Sequence, residues 1–249
     1  MEYRDPFATA QFGAQSQAAA YDMGLRAYML KIYNYMASAL ALTGIIAMFA
    51  GSSETFINAI YHVQNGNVVG MSGFGWIVAL APLGLVMWLG MGINRMSAST
   101  AQAIFWAYAS LVGLSLSSIF IVYTGESIAR TFFVTAGTFG AMSIYGYTTK
   151  RDLSGMGSFL MMGLIGLILA SIVNMFMQSS ALSFATSVIG VLIFVGLTAY
   201  DTQKLKAIYY QVSGSSEAMA KASIMGALSL YMDFLNIFMY LLRFMGDRK

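Results

Sequence analysis

The chain has 249 residues, of which 58% are hydrophobic and only 9% charged. A soluble domain carries about 25% charged residues, so the whole chain reads as membrane-embedded and not as a globular domain with an anchor. The net charge of +3 comes from basic residues at the ends of apolar runs, which argues topology and not nucleic acid, and the absence of cysteine excludes disulfides, thiol nucleophiles and thiolate metal sites.

Residues 1–27, rich in Ala, Gln, Ser and Gly, read as a disordered cytoplasmic tail with too little apolar surface to fold alone. The following run is too long for a cleavable signal and reads as an uncleaved signal anchor. Residues 28–246 then read as one transmembrane domain. Its apolar runs lie near 28–51, 72–93, 100–123, 130–148, 157–178, 181–201 and 223–243. Each is about 20 residues, the length of a helix crossing about 30 Å of hydrocarbon. The fold class is therefore all-α, polytopic, with seven transmembrane helices. The connections are short except 52–71, which holds Glu54 and the single histidine, His62, and 202–222. One histidine makes a His-based zinc or iron site untenable, and the abundant methionine reads as packing in lipid, not copper handling.

Arg4, Arg26, Lys31, Arg95, Lys150, Arg151, Lys204, Lys206 and Lys221 fall on one side of a seven-span chain, and Arg130 stands in the opposite loops. The positive-inside rule places the N-terminus in the cytoplasm. Arg243, Arg248 and Lys249 then lie outside, so a re-entrant last segment is the alternative to a full span. Small residues four apart (Gly113 and Ser117, Ala136 and Gly140, Gly137 and Ala141, Gly166 and Ala170) predict close helix packing.

The last span carries Asp233 near its middle. A charge there costs at least about 2.5–3.5 kcal/mol, and its helical neighbours Ser229, Leu230, Asn236 and Ile237 offer no counter-charge. Gly226, Ser229, Asp233, Asn236 and Tyr240 follow 3-4-3-4 spacing and form one polar stripe that faces protein or water. On the sixth span Ser187, Gly190, Phe194, Thr198 and Asp201 form a comparable stripe. Facing each other, the two carboxylates can share one proton and titrate as a unit. A structural role for Asp233, and an ordinary ion pair of Asp201 with Lys204, stay open alternatives. Arg95 is equally readable as a topology signal.

A retinal protein needs a lysine in its last helix, and 223–243 has none. An intramembrane aspartyl protease needs Gly-x-Gly-Asp, whereas Asp233 follows Leu230-Tyr231-Met232. No nucleotide loop, zinc motif or nucleophile–base set appears, so no enzymatic activity and no cofactor are expected.

GLTAYDTQKLK at 196–206 with LSLYMDFLNIFMYLLRFMG at 228–246 resembles the Bax-inhibitor family, the transmembrane Bax inhibitor motif proteins. YGYTTKRDLSGMG at 145–157 and GLSLSSIFIVYTGESIARTFFVTAGTFGAMS at 113–143 add to the resemblance, which points to the bacterial inner-membrane branch and covers 28–246. It implies seven helices with the last one central, and a pH-sensitive calcium leak channel in the inner membrane. Asp201 and Asp233 are then the pH sensor and calcium contacts, Arg95 a gate partner, and Ser229, Asn236 and Tyr240 the pore-facing stripe. The implied partners are calcium ions, protons and the bilayer. The alternative is an interaction protein that modulates other membrane proteins, such as a membrane protease, without transport of its own; proton-coupled transport is a third reading. Ser213-Gly214-Ser215-Ser216 reads as an insertion between the two aspartates.

Overall fold

A computed structural model describes the backbone of residues 6–64 and 67–249. The elements in chain order are α1 (Pro6–Ser52), α2 (Glu54–Ile60), β1 (Tyr61–Gln64), β2 (Asn67–Met71), α3 (Gly73–Gly92), α4 (Ala98–Ser115), a 3-10 turn (Leu116–Ser118), α5 (Ile119–Val122), α6 (Gly125–Thr148), α7 (Ser154–Met177), α8 (Ser180–Val212) and α9 (Ser216–Met245). The chain is an all-α membrane protein, with one antiparallel hairpin, β1 and β2, inside the 52–71 connection. His62 lies on β1.

Most helices start on a hydroxyl. Ser53, Ser72, Ser97, Thr124, Ser179 and Ser215 each accept a hydrogen bond from the backbone N–H three residues on. Such a cap is worth about 1 kcal/mol. It also fixes where each helix begins after a short connection.

Among the described residues six segments are long and apolar enough to cross a membrane: Asp22–Ser52, Gly73–Gly92, Ala98–Val122, Ser154–Met177, Ser180–Val212 and Ser216–Met245. The segment expected near 130–148 forms a helix of 24 residues, α6, but is more polar than the others. It carries Glu126, Arg130 and the threonines Thr131, Thr135, Thr138 and Thr148, and buries Ser127, Thr131, Thr135 and Ser143 against the bundle. Its polarity is accounted for by facing protein.

Two boundaries differ from the sequence reading. The segment 1–27 is helical from Pro6, as the start of α1; Arg4 lies outside the described residues. The connection expected over 202–222 is mostly helix. Its turn is only 213–215, and Ser216 opens α9. Hydropathy marks where a helix leaves lipid, not where it ends, and polar residues such as Gln203 and Lys204 continue α8. The packing of small residues also divides. Gly113 meets Thr43 and Ile46 of α1, whereas Gly137 and Gly166 have no atom within reach of an added Cβ and lie on exposed faces.

The bundle has two distinct ends. One carries Arg95, Lys150 and Arg151 in its turns; we call it the basic end. The other carries the hairpin. α9 is the central helix, touching α1, α4, α6 and α8. Ala227, Leu230, Tyr231, Ile237 and Leu242 on it are fully buried or nearly so. α3 packs mainly on α4, and α7 on α8, at the periphery. α9 runs unbroken from end to end. At the basic end Glu217 accepts from the Ala98 N–H at 2.9 Å. At the hairpin end Asp247 pairs with Arg130 at 2.7 Å, and its carbonyl accepts from Thr124 N–H. The last segment therefore traverses the bundle and does not turn back.

Candidate functional site: the α8–α9 seam

α8 and α9 are antiparallel and share the most extensive contact in the molecule. Their register is visible at two glycines. A Cβ at Gly226 would meet the Leu205 side chain, and a Cβ at Gly190 would meet the Tyr240 ring at 2.8 Å. This register sets Asp201 level with Ser229, and Asp233 one turn further toward the hairpin end, about 6 Å along the axis. The two polar stripes face each other across the seam.

Asp233 is 5% exposed, and its Oδ2 has no hydrogen-bond partner. Asp201 lies near enough to act on it electrostatically. Asp201 is half-buried and opens into a cavity of about 180 Å³ lined also by Lys204, Leu205, Met225, Gly226 and Ser229. The cation sharing that cavity is Lys204, on the same helix. Beyond Ser229 the seam is packed. Asn236 turns its Nδ2 back to the Met232 carbonyl at 2.8 Å. The Tyr240 ring stacks on Phe194 at 6.0 Å. Thr198 is fully buried, its hydroxyl spent on the Phe194 carbonyl, while Thr202 Oγ1, also buried, has no partner.

Arg95 is exposed in the turn between α3 and α4. The ion pairs among the described residues are Arg130–Asp247 and Lys221–Glu217, so Arg95 is paired with neither aspartate. No group of three or more His, Asp or Glu side chains converges among the described residues. Two carboxylates alone fall short of the six to eight oxygens that hold calcium firmly.

Other residues that build the site carried little sequence signal. Gly146 of α6 lies against the Ala199 backbone, where an added Cβ would come within 2.2 Å of the carbonyl oxygen. Gly157 of α7 receives the Tyr200 ring. Gln203 donates to the Arg151 carbonyl at 2.7 Å and accepts from Leu153 N–H at 2.9 Å. Lys206 lies over the Tyr147 ring at 4.8 Å. The segments 145–157 and 196–206 thus close on one another around the level of Asp201. On the opposite face of α9 Tyr231, fully buried, meets Thr43 Oγ1 at 2.6 Å, and Thr43 donates to the Ala109 carbonyl at 2.9 Å. This chain of bonds pins α9 to α1 and α4. Periodicity could have flagged Tyr231, a phenol among Leu and Met, but not its partner 188 residues away.

The family model described as "Inhibitor of apoptosis-promoting Bax1" matches residues 25–249. An uncharacterized protein of Rickettsia prowazekii is 54% identical over 94% of this chain and 95% of its own. One from Caulobacter vibrioides is 49% identical, over 92% and 91%. The inner membrane protein YbhL of Escherichia coli K12 is 49% identical, over 91% and 94%. With its helical bundle and its central α9, the chain belongs to the Bax-inhibitor family.

Proposed function

We propose that the protein is a pH-sensitive cation leak channel of the inner membrane, with calcium as its preferred ion, gated at the Asp201–Asp233 pair. The observation that carries this reading is the pair itself: a buried carboxylate with an unpartnered oxygen, one turn from a second carboxylate that opens into a cavity at the basic end. Burial opposes two charges so close together, so the pair holds a shared proton in one state and loses or gains protons in another. Each change alters the packing of α8 on α9, and that biases a two-state seam. The pair would be a point of passage for calcium, not a cage. Ser229, Asn236 and Tyr240 then line the path, and opening requires Tyr240 to leave Phe194. Arg95 would become a gate partner only after a rearrangement of the basic end.

In this reading seven helices span the bilayer, α6 included, with the N-terminus and the basic end in the cytoplasm. The inner membrane is supported by the Escherichia coli relative. No catalytic step or cofactor is assigned.

One observation favours the alternative, a membrane protein that regulates others, such as a protease, without transport: beyond Ser229 the seam is packed shut. Purified protein in liposomes separates the two. Calcium flux without any added partner supports the channel. Silence at every pH supports the regulator.

A further inference from the structure

α1 and α6 flank α9 without packing closely on each other. Between them lies a groove of about 670 Å³, whose lining includes Arg26, Leu30, Leu40, Phe139, Ser143 and Phe234. It continues toward the hairpin end into a second cavity of about 320 Å³ that shares Leu40, Phe132 and Phe234 with it. From Leu30 to Leu40 the groove is about 15 Å deep, the depth of one leaflet in a hydrocarbon core about 30 Å thick.

Its polar groups are ordered along that depth. Arg26 stands at the mouth, at the basic end, exposed, and makes no ion pair or hydrogen bond among the described residues, with Asp22 one turn before it included. Tyr147 lines the same mouth, with the Lys206 ammonium over its ring. About one turn deeper, Ser143 lines the groove at 6% exposure, and its Oγ, itself buried, has no hydrogen-bond partner. Below Ser143 the lining is aliphatic and aromatic, with the Tyr33 phenol its one polar side chain. A cation at the mouth, an idle hydroxyl donor one turn in and an apolar slot one leaflet deep match the order of groups in a glycerophospholipid.

We infer that this groove binds one anionic phospholipid, its headgroup on Arg26, a glycerol ester carbonyl accepting from Ser143 Oγ, and an acyl chain between α1 and α6 as far as Phe234. The positive mouth favours a lipid of net negative charge over a zwitterionic one. The site is independent of ion conduction, and its test needs no flux.

The test is native mass spectrometry of the purified full-length protein in detergent, titrated with phosphatidylglycerol or phosphatidylcholine of the same acyl chains. Wild type should retain one phosphatidylglycerol per chain with about tenfold preference, the order expected of one charge-assisted contact. Arg26→Gln should abolish that preference while leaving weak binding of both lipids. Ser143→Ala should weaken both about fivefold, the worth of one net hydrogen bond. Gly140→Leu should expel both, because Gly140 lines the groove and has open space where a Cβ would project. Equal retention of the two lipids by wild type overturns the inference. So does undiminished lipid binding by Gly140→Leu with its helical spectrum intact. If Gly140→Leu loses that spectrum, the exposed Arg26→Gln decides: an unchanged lipid preference overturns the inference.

Discussion

Tyr231 and Asp233 are two residues apart and do opposite things. Tyr231 turns to α1 and α4, where its hydroxyl bonds Thr43 Oγ1, which in turn donates to the Ala109 carbonyl. Asp233 belongs to the stripe that faces α8 and keeps an oxygen without a partner. One residue position is about 100° around a helix, so neighbours in a short motif can serve different helices. The contrast is testable. Thr43→Val leaves the Tyr231 hydroxyl unpaired in an apolar setting and should cost about 1–3 kcal/mol in unfolding. Tyr231→Phe removes both the hydroxyl and its need for a partner and should cost less. Denaturation of the purified variants in detergent checks the order; a milder loss for Thr43→Val than for Tyr231→Phe would refute it. Asp233→Asn keeps the side-chain volume and removes the charge. We expect it to leave stability unchanged or raised, since the buried carboxylate has no cationic partner among the described residues to lose.

At the scale of elements, sequence spacing found the helices but not their packing. Hydropathy located seven apolar runs; helices cover all of them, and among the described residues six segments are apolar enough to cross a membrane. It misjudged the stretch after Asp201, because charged residues that emerge from lipid continue a helix as readily as they end one. α8 reaches Val212, so Asp201 stands well inside a helix and is held by the Gln203 and Lys206 contacts beyond it. The facing stripes of α8 and α9 were legible, since their 3-4 spacing fixes one side of each helix. Their depth was not, because register is set by distant glycines such as Gly190 and Gly226. Spacing also could not rank the glycines. Gly137 belongs to a four-apart pair yet lies open, while Gly146, in no such pair, touches the α8 backbone. Gly146→Val should therefore separate α6 from α8 and cost at least about 1–3 kcal/mol. Gly137→Val should be close to neutral. Melting temperatures in detergent test both, and equal shifts would contradict the close approach of α6 to α8 at Gly146.

At the scale of the whole molecule, α9 crosses from the basic end to the hairpin end. Composition made a membrane protein certain and the clustering of basic residues suggested its orientation. The basic C-terminal residues pulled the other way. The structure shows what those residues do there: Lys249 donates to the Phe120 carbonyl at 2.8 Å, and Arg248 stacks over Tyr123 at 6.0 Å. Their charge is engaged locally at the hairpin end. Under the proposed orientation a reporter fused after Lys249 should read as non-cytoplasmic, and one inserted at Gly214 as cytoplasmic. The same side for both would contradict the traverse of α9.

The most direct test of the gating account is calcium entry into liposomes that contain only the purified protein, followed from about pH 5 to pH 8 for wild type, Asp201→Asn, Asp233→Asn and the double variant. Asparagine keeps a hydrogen-bonding side chain but cannot titrate. Wild type should pass calcium at a rate that changes across this range. Either single substitution should flatten that dependence, and the double substitution should add little, because residues that act as one unit are not additive. A full wild-type pH response in Asp233→Asn would contradict the account.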